Sequence, residues 1–112
     1  MNIQIFGLKK SFDTQKAERY FKERKIKYQY VDLARYGLSK GELQSIENAV
    51  GFDNLVDYEG EEYQARGLRY FNNGTVTEAM LIDNPRLLKV PIVRNGRQAT
   101  VGYRPEVWKT WE

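Results

Sequence analysis

Between Phe6 and Phe21 the chain reads FGLKKSFDTQKAERYF. Ser11 stands in this stretch with Lys9 and Lys10 before it, Asp13 and Thr14 just after it, and Lys16 further on. A hydroxyl at the start of a helix can do two things. Its oxygen can accept one of the unpaired N–H groups of the first turn. With a base beside it, it can also attack an electrophile. The sequence contains no histidine, so that base would have to be Asp13, a lysine or a tyrosine. Capping needs only the oxygen, and it is the role we expect of Ser11. The lysines could draw an anion loosely toward the loop. Solvated lysines near a helix start account for them more simply, because the helix dipole disfavours cations there only mildly.

Composition removes other chemistries. Cysteine is absent too, which excludes disulfides, thiolate nucleophiles and thiol redox sensing. Without Cys and His, the usual structural zinc sites are excluded. Only all-oxygen metal sites are left, and no cofactor is expected. The 112 residues suit one domain, and 41% hydrophobic residues suffice for a single core. The 8 tyrosines read as core side chains that keep a hydroxyl wet. The net charge is +3, and its densest basic run is YFKERKIKY, from Tyr20 to Tyr28. We read that run as a solvated helix face and expect no direct nucleic-acid binding, since nucleic-acid binders concentrate a basic stripe. No run approaches the roughly 20 apolar residues of a membrane span. The opening MNIQIFGLKK has no charged leading region and no small-residue cleavage site, so no signal peptide is expected. The expected compartment is the cytoplasm, with no membrane contact.

The elements that must position Ser11 can be read from periodicity. Asn2 to Phe6 alternates as a strand, with Gly7 at the turn. From Phe12 to Arg24 the residues Ala17, Tyr20 and Phe21 recur at helical spacing, with Ser11 or Asp13 as the cap. Lys27 to Leu33 reads as a second strand, parallel to the first through a right-handed crossover. Ser39 and Glu42 have capping-box spacing. They open a helix whose buried stripe is Leu43, Ile46, Val50 and Ala49, with Gly51 as its stop. Phe52 to Asn73 reads as short helices between loops. A turn at Asn72 to Thr75 follows, then a helix capped by Thr77, with Pro85 at a boundary or first turn. Asn95-Gly96 favours a tight hairpin. Pro105 opens a last helix with Val107, Trp108 and Trp111 turned to the core.

This order, βαβ, helices, ββ and α, implies an α/β protein with a four-stranded mixed sheet flanked by helices. It is the plan of the thioredoxin fold. The sequence resembles the arsenate reductase/Spx family, ArsC-like proteins that insert helices between the βαβ and ββα halves. FGLKKSFDTQKAERYF lies over that family's cysteine loop. LIDNPRLLKVPIVRNGRQATVGYRPEVW lies over its Asn-Pro, Leu-Leu, Arg-Pro-Ile, Val-Gly-Phe and Trp pattern. The resemblance implies one domain over residues 1–112, with the helical insertion from about residue 38 to about residue 88.

By the same resemblance, Ser11 stands where the family has its nucleophilic cysteine and Thr14 where some members have a second one. Val90 replaces the arginine that binds the oxyanion, and Glu59 takes what resembles a second arginine position. Pro91 keeps its place, and the resemblance implies a cis Val90–Pro91 bond beside Ser11. Ser11, Lys10, Val90 and Pro91 are thus the candidate ligand-binding residues, and Ser11 with Thr14 a vestigial catalytic site. A serine cannot cycle through a disulfide, so arsenate reduction of the family kind is not expected. What the resemblance leaves is a redox-inactive binding or regulatory module. Its expected partner is a protein such as the RNA polymerase α subunit, on whose C-terminal domain Spx docks. A peptide or glutathione beside Pro91 is the alternative, and an arsenate reductase label would follow from resemblance alone.

Overall fold

The computed structural model describes residues 1–71 and 76–112, with side chains for 1–66 and 76–112. The turn expected at Asn72 to Thr75 lies outside the described residues. Strand β1 (Ile3–Gly7) is followed by α1 (Phe12–Glu23) and β2 (Tyr28–Asp32). Helices α2 (Lys40–Val50), α3 (Glu61–Phe71) and α4 (Glu78–Asp83) come next, then β3 (Ile92–Asn95), β4 (Gln98–Val101) and α5 (Pro105–Trp108). The sheet order is β2-β1-β3-β4. β1 runs parallel to β2 and antiparallel to β3, and β3 is antiparallel to β4. This is the thioredoxin-like arrangement. No helix among the described residues is long and apolar enough to cross a membrane.

Strand alternation divides the core between two faces. Ile3 and Ile5 of β1 join Val93 of β3 under Ala17, Tyr20 and Phe21 of α1 and Trp108 of α5. Phe6 and Ile92 face the other way, against Leu43 and Ile46 of α2 and the leucines of the following segments. Trp108 is wholly buried, lies 5.2 Å from both the Tyr20 and Phe21 rings, and donates its indole N–H to Thr100 Oγ1 at 2.7 Å.

Local chemistry sets the ends of the helices. Ser39 and Glu42 form both bonds of a capping box at α2, and Gly51 closes that helix at φ +87°. Thr77 caps α4, and Pro85 opens a 3₁₀ turn from its first position. Ala49, expected in the buried stripe of α2, is exposed. Leu43 and Ile46 already fill the side facing the sheet, and Ala49 lies off that line. The hairpin also differs by one residue from the expectation. Asn95 pairs with Gln98, so Gly96 and Arg97 make the turn, with only Gly96 at positive φ (+61°). Glycine at the first of two turn residues is the type II′ pattern. Asn95 stays in the strand, where its side-chain oxygen accepts the Asn2 N–H at 3.2 Å.

Several tyrosines fit the reading of buried ring and polar handle. The Tyr28 hydroxyl donates to Glu18 at 3.0 Å. Burial, then this bond to Glu18, pushes the Tyr28 phenol from 10.0 up to about 12. The Tyr30 hydroxyl differs, being shielded from solvent with no hydrogen-bond partner among the described residues. A phenol whose pKa is raised by folding binds its proton more tightly in the folded state. Its contribution is therefore fully present below the unfolded value and is lost as pH rises through the folded one. Stability should fall as pH climbs from about 10 toward about 12. A tyrosinate absorbance titration of the folded protein should show a late transition near about 12 that Tyr28→Phe removes. An unchanged late transition in that variant would contradict the assignment.

Candidate functional site

Ser11 precedes α1 with extended backbone (φ −77°, ψ 122°), and its Oγ accepts the Thr14 N–H at 3.2 Å. Its own N–H donates to the Leu8 carbonyl at 3.0 Å. Thr14 is fully buried and its Oγ1 accepts the Leu8 N–H at 3.4 Å. Gln15 donates from its side chain to the Lys9 carbonyl at 2.8 Å. The loop from Leu8 to Ser11 is thus tied at both ends to the first turn of α1. Gly7 permits this closeness. A Cβ there would lie 2.5 Å from Thr14 Cγ2 and 2.6 Å from its Oγ1.

Across from this loop, Phe6 of β1 pairs with Ile92 of β3, which sets Pro91 opposite Gly7. The Val90–Pro91 peptide is cis. Pro91 is buried and its carbonyl accepts the Gly102 N–H at 2.8 Å. Ser11 and Val90 line one open cleft of about 650 Å³. Lys10 is exposed and is not among the lining residues, and Thr14 is buried behind Ser11. Lys9 and Lys16 are also exposed, the Lys16 ammonium standing 5.8 Å from the Tyr103 ring centroid. Glu59 is exposed and does not line the cleft.

The charges that do line it are Asp13, Asp57, Lys89 and Arg104. Of these, sequence reasoning had weighed only Asp13. Asp57 and Lys89 arrive together through a short antiparallel pairing of Val56 with Leu88. In it the Asp57 N–H donates to Leu87 at 2.8 Å and the Lys89 N–H to Leu55 at 2.7 Å. A single bridge leaves no periodicity to read in the sequence. Lys89 could have been suspected from its place before Val90-Pro91, and Arg104 from its place before Pro105. Arg104 donates from Nε to the Val101 carbonyl at 3.2 Å, which holds its head group at the cleft wall.

Two carboxylates and two cations face a cleft whose apolar lining is Val50, Val90, Val101 and Val107. Such a surface suits a ligand with both polar and apolar groups better than a bare oxyanion, which gains most from a bidentate arginine. Among the described residues no carboxylate or amine hydrogen-bonds to Ser11 Oγ. Nor is there a group of three or more carboxylates able to hold a metal ion.

Comparison with known proteins fits this arrangement. The ArsC family matches residues 6–111. The "Global transcriptional regulator Spx 2" of Oceanobacillus iheyensis is 29% identical over 109 residues, covering 95% of this chain and 80% of that protein. Among solved structures, the YFFB protein superposes with a TM-score of 0.83 at 19% identity, covering 96% of each chain. A putative ArsC family related protein from Bacteroides fragilis gives 0.79 at 23% identity, covering 100% of this chain and 98% of that one. At these identities the two structures speak for the fold alone.

Ser11→Ala should lower stability by about 1 kcal/mol, the usual cost of losing a helix cap. Urea denaturation should show this, with Ser11→Asp recovering most of the loss; an unchanged midpoint for Ser11→Ala would mean the cap contributes nothing. Gly7→Ala should cost about 1–3 kcal/mol by overpacking against Thr14. Thr14→Ala in the same chain should relieve part of that loss, and strict additivity of the two changes would contradict the contact.

Proposed function

We propose that this chain, which belongs to the ArsC family, is a member that works by binding and not by thiol redox chemistry. The observation that carries this reading is the state of Ser11. At the position that the resemblance assigns to the nucleophilic cysteine, a hydroxyl oxygen accepts the Thr14 N–H, and the sequence has no cysteine anywhere. Reducing arsenate takes two electrons, which the family passes through sulfur. A serine hydroxyl forms no disulfide and stays protonated near neutral pH without a partner base. Val90 also stands where the family's oxyanion-binding arginine would be, so both the nucleophile and the anion clamp are replaced.

In this reading the protein is a cytoplasmic pseudoenzyme whose single domain, with its helical insertion, serves as a regulatory module. The partner we favour is a protein, the RNA polymerase α subunit first, because the family resemblance extends to Spx and a relative is a global transcriptional regulator. The alternative is a peptide or glutathione in the cleft. It is favoured by Val90, which lines the cleft just before Pro91, since pairing of an extended ligand there needs no thiol.

Purified protein supplied with arsenate, glutathione and a glutaredoxin should give no turnover above a protein-free control. Binding to the purified C-terminal domain of the α subunit should be measurable by calorimetry. Arsenate turnover that survives removal of contaminating reductases would overturn the redox-inactive reading. Failure to bind the α subunit, with glutathione shifting the Ser11 and Val90 amides, would replace the protein partner by the small ligand.

A further inference from the structure

We propose that the open edge of β2, together with the lysines that lead into it, docks an extended acidic segment of a partner protein. Four of the chain's 18 basic residues, but only one of its 15 acidic ones, fall within residues 22–27. That short segment therefore carries the whole net charge of +3, and the rest of the chain is neutral. Lys22, Arg24, Lys25 and Lys27 are all exposed, and none of them takes part in an ion pair among the described residues. Arg24 is engaged elsewhere. Its guanidinium lies 3.7 Å from the Tyr20 ring centroid and donates to the Tyr20 carbonyl at 3.4 Å. The three lysines are left facing solvent.

The backbone places them deliberately. The Lys25 N–H donates to the Lys22 carbonyl at 3.0 Å and the Ile26 N–H to the Phe21 carbonyl at 2.9 Å. This is the double bond of a Schellman motif, with Ile26 folded onto the core beside Phe21. The motif's left-handed position usually goes to glycine, yet here Lys25 holds it at φ +58°. A side chain is kept where its absence would relieve strain. From this turn the chain passes through Lys27 straight into β2.

Among the described residues β2 pairs with β1 alone and forms one edge of the sheet. Its outer backbone groups can accept another strand, with the exposed Gln29 and the half-buried Tyr28, Tyr30 and Val31 beside it. Charge selects the occupant. Acidic side chains on the incoming strand would meet Lys25 and Lys27 where the ladder begins. A second copy of this chain would instead bring two segments of charge +3 into one interface. A polynucleotide could meet the lysines but could not complete a backbone ladder. β1 and β2 are parallel, so Lys27 lies at the opposite end of the sheet from Ser11. This surface is therefore separate from the cleft, and the two readings can fail independently.

The test is an amide NMR titration with a blocked peptide of alternating glutamate and valine. Saturable shifts should be confined to residues 25–32 and weaken roughly tenfold or more on raising salt to about 0.5 M. The triple variant K22E/K25E/K27E should lose them, and a peptide N-methylated at alternate amides should fail to bind. Lys25→Gly should raise stability while weakening binding, a combination that a purely structural lysine would not give. Several outcomes would overturn the proposal: no saturable shift in this segment, shifts at Ser11 and Val90 instead, or equal binding by the N-methylated peptide. So would tighter binding of a single-stranded oligonucleotide at the same residues, or β2 shifts that depend on protein concentration without peptide.

Discussion

Thr14 occupies the space that a Cβ on Gly7 would need. That contact joins the end of the central strand to the first turn of α1, and much else is fixed by it. With Thr14 seated there, its hydroxyl can hold the Leu8 N–H and its own N–H can reach Ser11. β1 is flanked by β2 on one side and β3 on the other. The same strand end that anchors Thr14 thus also fixes Pro91 through the Phe6–Ile92 pairing. Loop, helix start and the Val90–Pro91 peptide come together because one small residue ends β1.

What this mouth can do depends on the atom at position 11. The first turn of a helix offers unpaired N–H groups and a favourable field for negative charge. A sulfur there would be drawn toward thiolate. An alcohol stays protonated in the same field, and its oxygen serves as a neutral acceptor. In this structure that oxygen accepts the Thr14 N–H. Asp57 and Lys89 both line the cleft, Val90 adds an apolar surface, and Arg104 is held to a backbone carbonyl. These features favour recognition of shape and mixed polarity. At the other end of the sheet the net charge gathers before β2, so the molecule has two unlike surfaces separated by the length of its strands.

Much of this was legible in the sequence where the signal was local. Ser39 and Glu42 announced their helix because a capping box is a contact between residues three apart. Ser11, Thr77, Gly51 and Pro85 marked element ends for similar reasons, and the fold followed from their order. Reading failed where a distant contact decided. Asn95-Gly96 looked like the turn pair, but the Asn95 side chain bonds to Asn2 and the turn moves to Gly96-Arg97. Ala49 has an apolar side chain, yet Leu43 and Ile46 already cover the sheet. Glu59 was aligned to the site, but the Val56–Leu88 bridge brings Asp57 there instead. The cleft's cations escaped notice because Lys89 and Arg104 are neighbours only in space.

Native-state hydrogen exchange at two amides tests the locked loop most directly. If Gly7, Thr14 and Ser11 hold the loop as described, the Leu8 and Thr14 amides should exchange only through openings nearly as costly as those that expose Ile5. Exchange of these two amides as fast as at the exposed Lys9 and Lys10 would contradict it. In that case Ser11 would be free of its capping role and open to other chemistry.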